Sequence, residues 1–327
     1  MQAYSLKDFD FELPENLVAQ TPAHPRDHAR LLIYDRKTQK ITDDYFYNLD
    51  KYLPKQSTIA VNNSKVEKCR LRIGNTEIFI LETINPTTVQ ALVRPGRKFK
   101  IGETVIDDFR FTTDAISEDG IRTIRLDRPL DDESFDPYRL TPLPPYIAQD
   151  ESLSDEYQTV YADPLGSKAA PTAGLHFTPE LLKALRQSHP YTEVTLHVGM
   201  GTFAPVKDND ISKHIMHEES YLLSGQTAMT LNAAKHITAV GTTTVRVLES
   251  AHHPFREQGG STDIFIKPGY KFRSVDSLIT NFHLPKSTLL MLVSAFIGSV
   301  DELHVIYAHA IENKYRFYSF GDAMLII

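Results

Sequence analysis

The pattern of the chain predicts an α/β protein: a layered α/β domain with helices on both sheet faces, plus an inserted small antiparallel β-barrel domain. Three observations lead there. Residues 64–145 break into short alternating segments separated by turn residues, with no helical period. From residue 146 onward strands and helical stretches alternate to the end. The apolar run 57–61, ahead of the barrel, reads as a buried strand able to join that later sheet. The expected division is therefore 1–63 with 146–327 for a discontinuous α/β domain, and 64–145 for the inserted barrel.

Each element has a local reason. Pro14 opens a short helix over 14–20. Arg26, Asp27 and Arg30 precede a strand-like run at 31–34; they either pair on a surface or orient an anionic substrate. Asn62-Asn63-Ser64 stops the strand 57–61. Barrel strands are expected at 68–73, 77–84, 89–94, 103–106, 109–113 and 121–126, parted by Gly74-Asn75, Asn85-Pro86 and Pro95-Gly96. After the stiff Pro142-Leu143-Pro144-Pro145, Thr178-Pro179-Glu180 supplies a hydroxyl cap, a first-position proline and a first-turn acid. A helix therefore begins at Pro179, with Leu181, Leu182 and Leu185 on its apolar face. Strands follow at 192–198, 236–241, 262–266, 278–282 and 323–327, and helices at 242–251, 287–297 and 301–313.

Composition narrows the function classes. With 327 residues, 41% hydrophobic and 24% charged, the chain has ordinary globular composition. No apolar run reaches the roughly 18 residues that span a bilayer, and the N-terminus lacks a signal peptide's apolar centre, so no membrane is expected and the placement is cytoplasmic. The single cysteine, Cys69, excludes an internal disulfide and a cysteine-based zinc cluster. A net charge of -7 argues against indiscriminate nucleic-acid binding but leaves room for a local basic patch. Arg94, Arg97, Lys98 and Lys100 crowd one barrel turn, either as a phosphate-contacting corner or as a solvated hairpin tip.

The stretch 166–178 (GSKAAPTAGLHFT) concentrates small, polar and ionisable residues in a way a core segment does not need. Gly166 and Gly174 are expected at positive φ, and the alanines leave room for a ligand near the backbone. In layered α/β folds ligands collect beyond the carboxyl ends of strands. The segments there are unusual: 197–203 (HVGMGTF), Gly241-Thr242-Thr243-Thr244, and 281–288 (NFHLPKST). Gly-Thr-Thr-Thr opens a helix whose free N–H groups suit a carboxylate or phosphate, or else simply serves as an N-cap. His176, His197, His214, His217 and His283 lie in or beside these turns, and each has an ordinary pKa near neutrality. The run His214-Ile215-Met216-His217-Glu218 admits a metal reading, but matches neither HExxH nor a zinc spacing.

Taken together, 157–162 (YQTVYA), 166–178, 195–206 (TLHVGMGTFAPV), 240–250 (VGTTTVRVLES), 280–287 (TNFHLPKS) and the ending RFYSFGDAMLII closely resemble the S-adenosylmethionine:tRNA ribosyltransferase-isomerase family of queuosine biosynthesis. The similarity runs over essentially the whole chain. It implies an α/β domain with an inserted barrel. It also implies transfer and isomerisation of the ribosyl part of S-adenosylmethionine onto 7-aminomethyl-7-deazaguanine at the tRNA wobble position, giving epoxyqueuosine-tRNA, adenine and methionine. S-adenosylmethionine is then a consumed substrate; no cofactor and no metal are implied. The family's tRNAs are those for Asp, Asn, His and Tyr, and a monomer is expected. The chain departs from the family in lacking any Trp and in carrying Lys168 where the family usually has Val.

That reaction needs a base near the ribose 5′ carbon, a proton donor for departing adenine and an anchor for the methionine carboxylate. His176 and His197 are the candidate proton-transfer groups, with His217, Glu218 and His283 as second choices. Thr242, Thr243 and Arg246 are the candidate carboxylate anchor, and Gly241, Thr172 and Gly174 are further candidates for binding S-adenosylmethionine. His176, His197 and Arg246 should converge beside Thr242. The alternatives are a metal-dependent hydrolase using His214, His217 and Glu218, and a non-catalytic tRNA-binding protein.

Overall fold

The structure, a computed structural model, describes residues 4–199, 206 and 208–327; residues 200–203, within one of the turns singled out above, lie outside the described residues. Two compact units emerge: Met1–Lys65 with Pro144–Ala148 and Asp155–Ile327, and Val66–Leu143 with Gln149–Ser154. Strands β1 (Arg30–Asp35), β2 (Lys40–Tyr45), β3 (Thr58–Asn62) and β4 (Lys65–Val66) come first. Then follow β5 (Arg70–Ile73), β6 (Thr76–Asn85), β7 (Thr88–Arg94), β8 (Gly102–Ile106), β9 (Phe109–Ile116), β10 (Arg122–Leu126) and β11 (Arg139–Leu140). The remainder is β12 (Leu165–Ser167), α1 (Pro179–Ser188), β13 (Tyr191–Leu196), β14 (Glu219–Leu223), α2 (Gly225–Ala233), β15 (Ile237–Val240), α3 (Thr242–Ser250), β16 (Gln258–Thr262), β17 (Ser277–Asn281), α4 (Thr288–Ile297), α5 (Val300–Glu312) and β18 (Ala323–Ile326).

In the larger unit nine strands form one mixed sheet in the order β16-β14-β13-β3-β15-β17-β18-β1-β2. Its middle is parallel: β13 with β3, β3 with β15, and β15 with β17. The carboxyl ends of these four strands therefore lie along one edge and deliver Asn62, Leu196, Val240 and Asn281 there. Alternate side chains enter two separate cores. Leu32, Tyr34, Ala239 and Leu278 pack with Val245, Leu290 and Leu303. Leu31, Ile33, Val240 and Ile279 pack with Phe46, Phe177, Leu182 and Leu185. Burying one such large side chain contributes roughly 1.5–3 kcal/mol, and a one-residue slip would exchange the contents of the two cores, so register is firmly held.

The smaller unit is a seven-stranded antiparallel sheet, ordered β11-β5-β6-β7-β10-β9-β8. Its core is aromatic, with Phe109 stacked on Phe135 at 4.6 Å and Phe99 and Phe111 fully buried. Register shifts in β6–β7 and β9–β10 curl it. The order ends in two edges, β11 and β8, so the expected small antiparallel barrel takes the form of a half-barrel.

Other expectations also change. Over 14–20 the chain makes only a 3-10 turn, Glu15–Leu17, too short to nucleate an α-helix, and Val18 instead bridges to Phe317. The strand expected at 262–266 lies earlier, at Gln258–Thr262, where Gly259-Gly260 disguise an edge strand that backbone pairing with β14 creates. Strand β14 and helix α2 were not anticipated, because buried Glu219 breaks the apolar alternation and Gly225 opens the helix.

Candidate active site

Strand β15 is buried throughout and runs into Gly241, which takes φ +88, a conformation that favours glycine. Helix α3 starts at the next residue. Gly241 has no side chain with which to cap α3. The other four α-helices each have a hydroxyl cap, from Thr178, Ser224, Ser287 and Ser299. Around α3 the hydroxyls are otherwise engaged: Thr244 Oγ1 donates to the Val240 carbonyl at 2.6 Å, and Thr243 Oγ1 accepts from Asn62 Nδ2 at 3.2 Å. The positive end of α3 thus faces outward with uncapped N–H groups.

It faces a cavity of about 350 Å³. The walls are the loop from Ala169 to Ala173, the α3 start from Gly241 to Thr243, the end of β17 from Thr280 to Leu284, the start of α4, and Tyr146, Tyr318 and Ser319. Asn281 ties these walls together. Its Oδ1 accepts from Thr172 Oγ1 at 2.9 Å, while its Nδ2 lies 3.1 Å from His176 Nε2 and donates to the Tyr318 carbonyl at 3.3 Å. Tyr146 meets Ser319 through their hydroxyls at 2.7 Å, and burial pushes the Tyr146 phenol up to about 12. Tyr318 holds φ +73, unusual for an aromatic residue, and Lys286 holds φ +59 on the same cavity wall.

The expected site residues divide. Thr172, Gly241, Thr242, Thr243 and His283 line the cavity. The His283 ring Nε2 sits 2.9 Å from Thr280 Oγ1, and burial lowers its pKa to about 4, so it is neutral at pH 7. His176 lies behind Asn281 rather than on the wall; burial, helped by the charges of Arg316 and Arg26, lowers its pKa to about 3. His197 packs on Gly166, whose φ is +137: a Cβ there would come within 3.0 Å of Nδ1, a buried atom with no hydrogen-bond partner. Burial and then the Lys168 charge lower the His197 pKa, and burial lowers the Lys168 amine to about 8.

Arg246 corrects the expectation most sharply. Its side chain does not turn back to the start of α3. It forms an ion pair with Glu219 of β14, both groups buried, and donates to the Thr262 carbonyl at 3.3 Å. A buried guanidinium needs a counter-charge, and the acid on the neighbouring strand supplies it. His176, His197 and Arg246 therefore do not converge on the cavity. Gly174 does not take positive φ either; it is in a 3-10 turn, and the requirement is space, because a Cβ would run into the Tyr161 hydroxyl.

His217 and Glu218 are exposed and away from the cavity, and Glu218 accepts from the Ser261 hydroxyl. The His214 ring stands edge-on to Phe265 at 5.3 Å. Among the described residues no group of three or more His, Cys, Asp and Glu side chains gathers as a metal site.

A family model described as "Queuosine biosynthesis protein" matches residues 6–326. The chain belongs to the queuosine biosynthesis family. It is similar to the S-adenosylmethionine:tRNA ribosyltransferase-isomerase of Thermotoga petrophila, at 47% identity over 98% of this chain and 99% of the relative. The Clostridium kluyveri protein of the same name is 45% identical, covering 98% of each chain. The crystal structure of the S-adenosylmethionine tRNA ribosyltransferase from Thermotoga maritima matches with a TM-score of 0.57 and 39% identity, over 98% of this chain and all of that one.

Reading the residues of this queuosine biosynthesis family member singly missed Asn281, Tyr146, Tyr318 and Ser319. The sequence signal for Asn281 is a polar residue closing an apolar strand. For Tyr146 and Tyr318, which meet at 4.7 Å between ring centroids, no local signal exists, because they are 172 residues apart in sequence. The four barrel cations, Arg94, Arg97, Lys98 and Lys100, are all exposed on the smaller unit.

Proposed function

We propose that the chain is an S-adenosylmethionine:tRNA ribosyltransferase-isomerase. It transfers and isomerises the ribosyl moiety of S-adenosylmethionine onto 7-aminomethyl-7-deazaguanine at the tRNA wobble position, releasing adenine and methionine and leaving epoxyqueuosine-tRNA. The observation that carries this reading is family membership across residues 6–326, with like-named relatives at 45–47% identity over 98% of the chain. S-adenosylmethionine is consumed, and the RNA partners are the tRNAs for Asp, Asn, His and Tyr. The finer expectations stand in the same reading: a cytoplasmic monomer, helices on both faces of the large sheet, and an insertion over 64–145.

Within the site, the uncapped start of α3 supports placing the methionine carboxylate against the N–H groups of Thr242 and Thr243. Gly241 leaves that approach open, and Thr172, held by Asn281, faces the same space. His283 is the cavity histidine, neutral at pH 7 and able to exchange a proton with substrate. His176 and Arg246 act from behind the wall, in positioning and in stability.

Incubation with S-adenosylmethionine and tRNA bearing the aminomethyl base should release adenine and methionine in equal amounts and add the ribosyl mass to the tRNA. Recovery of S-adenosylhomocysteine instead would make the protein a methyltransferase. RNA retention without adenine release would make it a non-catalytic binder.

A further inference from the structure

We propose that the polar cavity framed by Arg72, Glu77 and Arg94 on the smaller unit is a phosphate-binding site that grips the backbone of the RNA substrate. This rests on the functional reading above and deepens it by naming where that unit meets RNA. Strand register makes the arrangement: Arg72 stands opposite Glu77 across β5–β6, and Glu77 opposite Arg94 across β6–β7. Directly opposed residues share a face, so the three side chains form one row across three neighbouring strands. The cavity they line, with Arg70 and Thr76, is about 260 Å³.

Charge in this row does not balance. Arg70 lies 3.6 Å from Glu77 and donates to Gln149 Oε1 at 2.6 Å, which engages the one carboxylate of the cavity. Arg70 Nε remains buried with no hydrogen-bond acceptor. Arg72 and Arg94 are exposed and add two further guanidinium charges. Lys98 brings an ammonium to the same place, its Nζ donating to Thr76 Oγ1 at 3.1 Å.

The turn that carries Lys98 is held in place: Arg122 donates to the carbonyls of Phe99 and Gly96, each at 3.3 Å. Residues 94–100 contain four cations and no acid. A cluster of guanidinium groups with one ammonium matches the several oxygens of a phosphodiester, which a guanidinium contacts in bidentate fashion. On a chain of net charge -7, such a concentration directs RNA to one face. The earlier four-cation expectation is thereby narrowed to Arg94 and Lys98, and Arg72 is added.

The test uses the full chain and tRNA. Arg72→Ala/Arg94→Ala should weaken tRNA binding about tenfold or more at moderate salt and make the log–log salt slope shallower by roughly 1.4–1.8. Arg72→Lys/Arg94→Lys should keep the slope and recover part of the affinity. S-adenosylmethionine affinity and the melting temperature should stay unchanged in both, since the two side chains are exposed. Unaltered tRNA affinity and slope in the alanine variant, with wild-type turnover intact, overturns the site while leaving the function standing. Calorimetry with inorganic phosphate separates the sources: micromolar phosphate binding lost in the alanine variant while tRNA affinity persists makes this a free-anion site and overturns the RNA assignment. Absence of adenine release by the wild type instead removes the functional reading.

Discussion

Asn281 donates its side-chain N–H to Nε2 of His176 across 3.1 Å. The amide nitrogen has no acceptor capacity, so Nε2 carries the lone pair and the proton of this neutral imidazole resides on Nδ1. Buried and held this way, with its pKa lowered to about 3, His176 fixes Asn281 and, through it, Thr172. Asn281→Asp reverses the hydrogen bond, because a carboxylate must accept. The His176 pKa should then rise by more than one unit, read by NMR titration of the imidazole, and the KM for S-adenosylmethionine should increase several-fold. An unmoved titration would remove the link between the two residues.

Acid should destabilise the fold through its neutral histidines. His176 at about 3 and His283 at about 4 stay deprotonated in the folded chain, whereas in the unfolded chain both protonate near 6.5. Unfolding therefore takes up protons below pH 6.5. The stability they contribute is complete above that value and is lost as pH falls, toward 4 for His283 and toward 3 for His176. Each contributes up to about 1.4 kcal/mol per pH unit in this window. Denaturant midpoints at pH 7, 6 and 5 should fall less steeply in His283→Gln by about one proton's worth.

Arg246 and Glu219 form a buried ion pair, and Glu219 Oε1 also accepts from the Gly199 N–H at 2.8 Å. Arg246→Met leaves a buried carboxylate without its counter-charge and should cost about 3–5 kcal/mol of stability. Adding Glu219→Gln should recover part of that loss, since the amide oxygen can still accept from Gly199 without a buried charge. Urea unfolding of the single and double variants measures the difference.

Gly174 is required for space. A Cβ there would collide with the buried Tyr161 hydroxyl and come within 2.9 Å of Thr159 Cγ2. Gly174→Ala should lower stability by about 1–3 kcal/mol, and Tyr161→Phe should restore part of it by removing the colliding oxygen. At Gly241, by contrast, the nearest side-chain atoms would be 3.6 and 3.7 Å from a Cβ, so the cost of Gly241→Ala is backbone strain alone, about 1–3 kcal/mol for a non-glycine residue at φ +88 and ψ 150. Thermal melts of the three variants order these costs.

What the sequence determined by itself was local. Period-two segments with Gly, Pro and Asn punctuation placed β5 to β10 within a few residues, and Thr178-Pro179-Glu180 placed the start of α1, because these signals act over a few neighbours. Gly166 takes the positive φ that its loop called for. Tertiary structure decided which side chains meet. Whether the antiparallel strands close depends on edges far apart in sequence, and here β8 and β11 stay unpaired with each other. Arg246 had two places to go, the helix start or the buried Glu219 of β14, and desolvation chose the acid. Asn281 becomes the hub of the cavity only when the carboxyl end of β17 lies beside the 166–178 loop and Tyr318. Turns and caps are therefore legible residue by residue, whereas a pair such as His176 and Asn281, 105 positions apart, exists only once the sheet has formed.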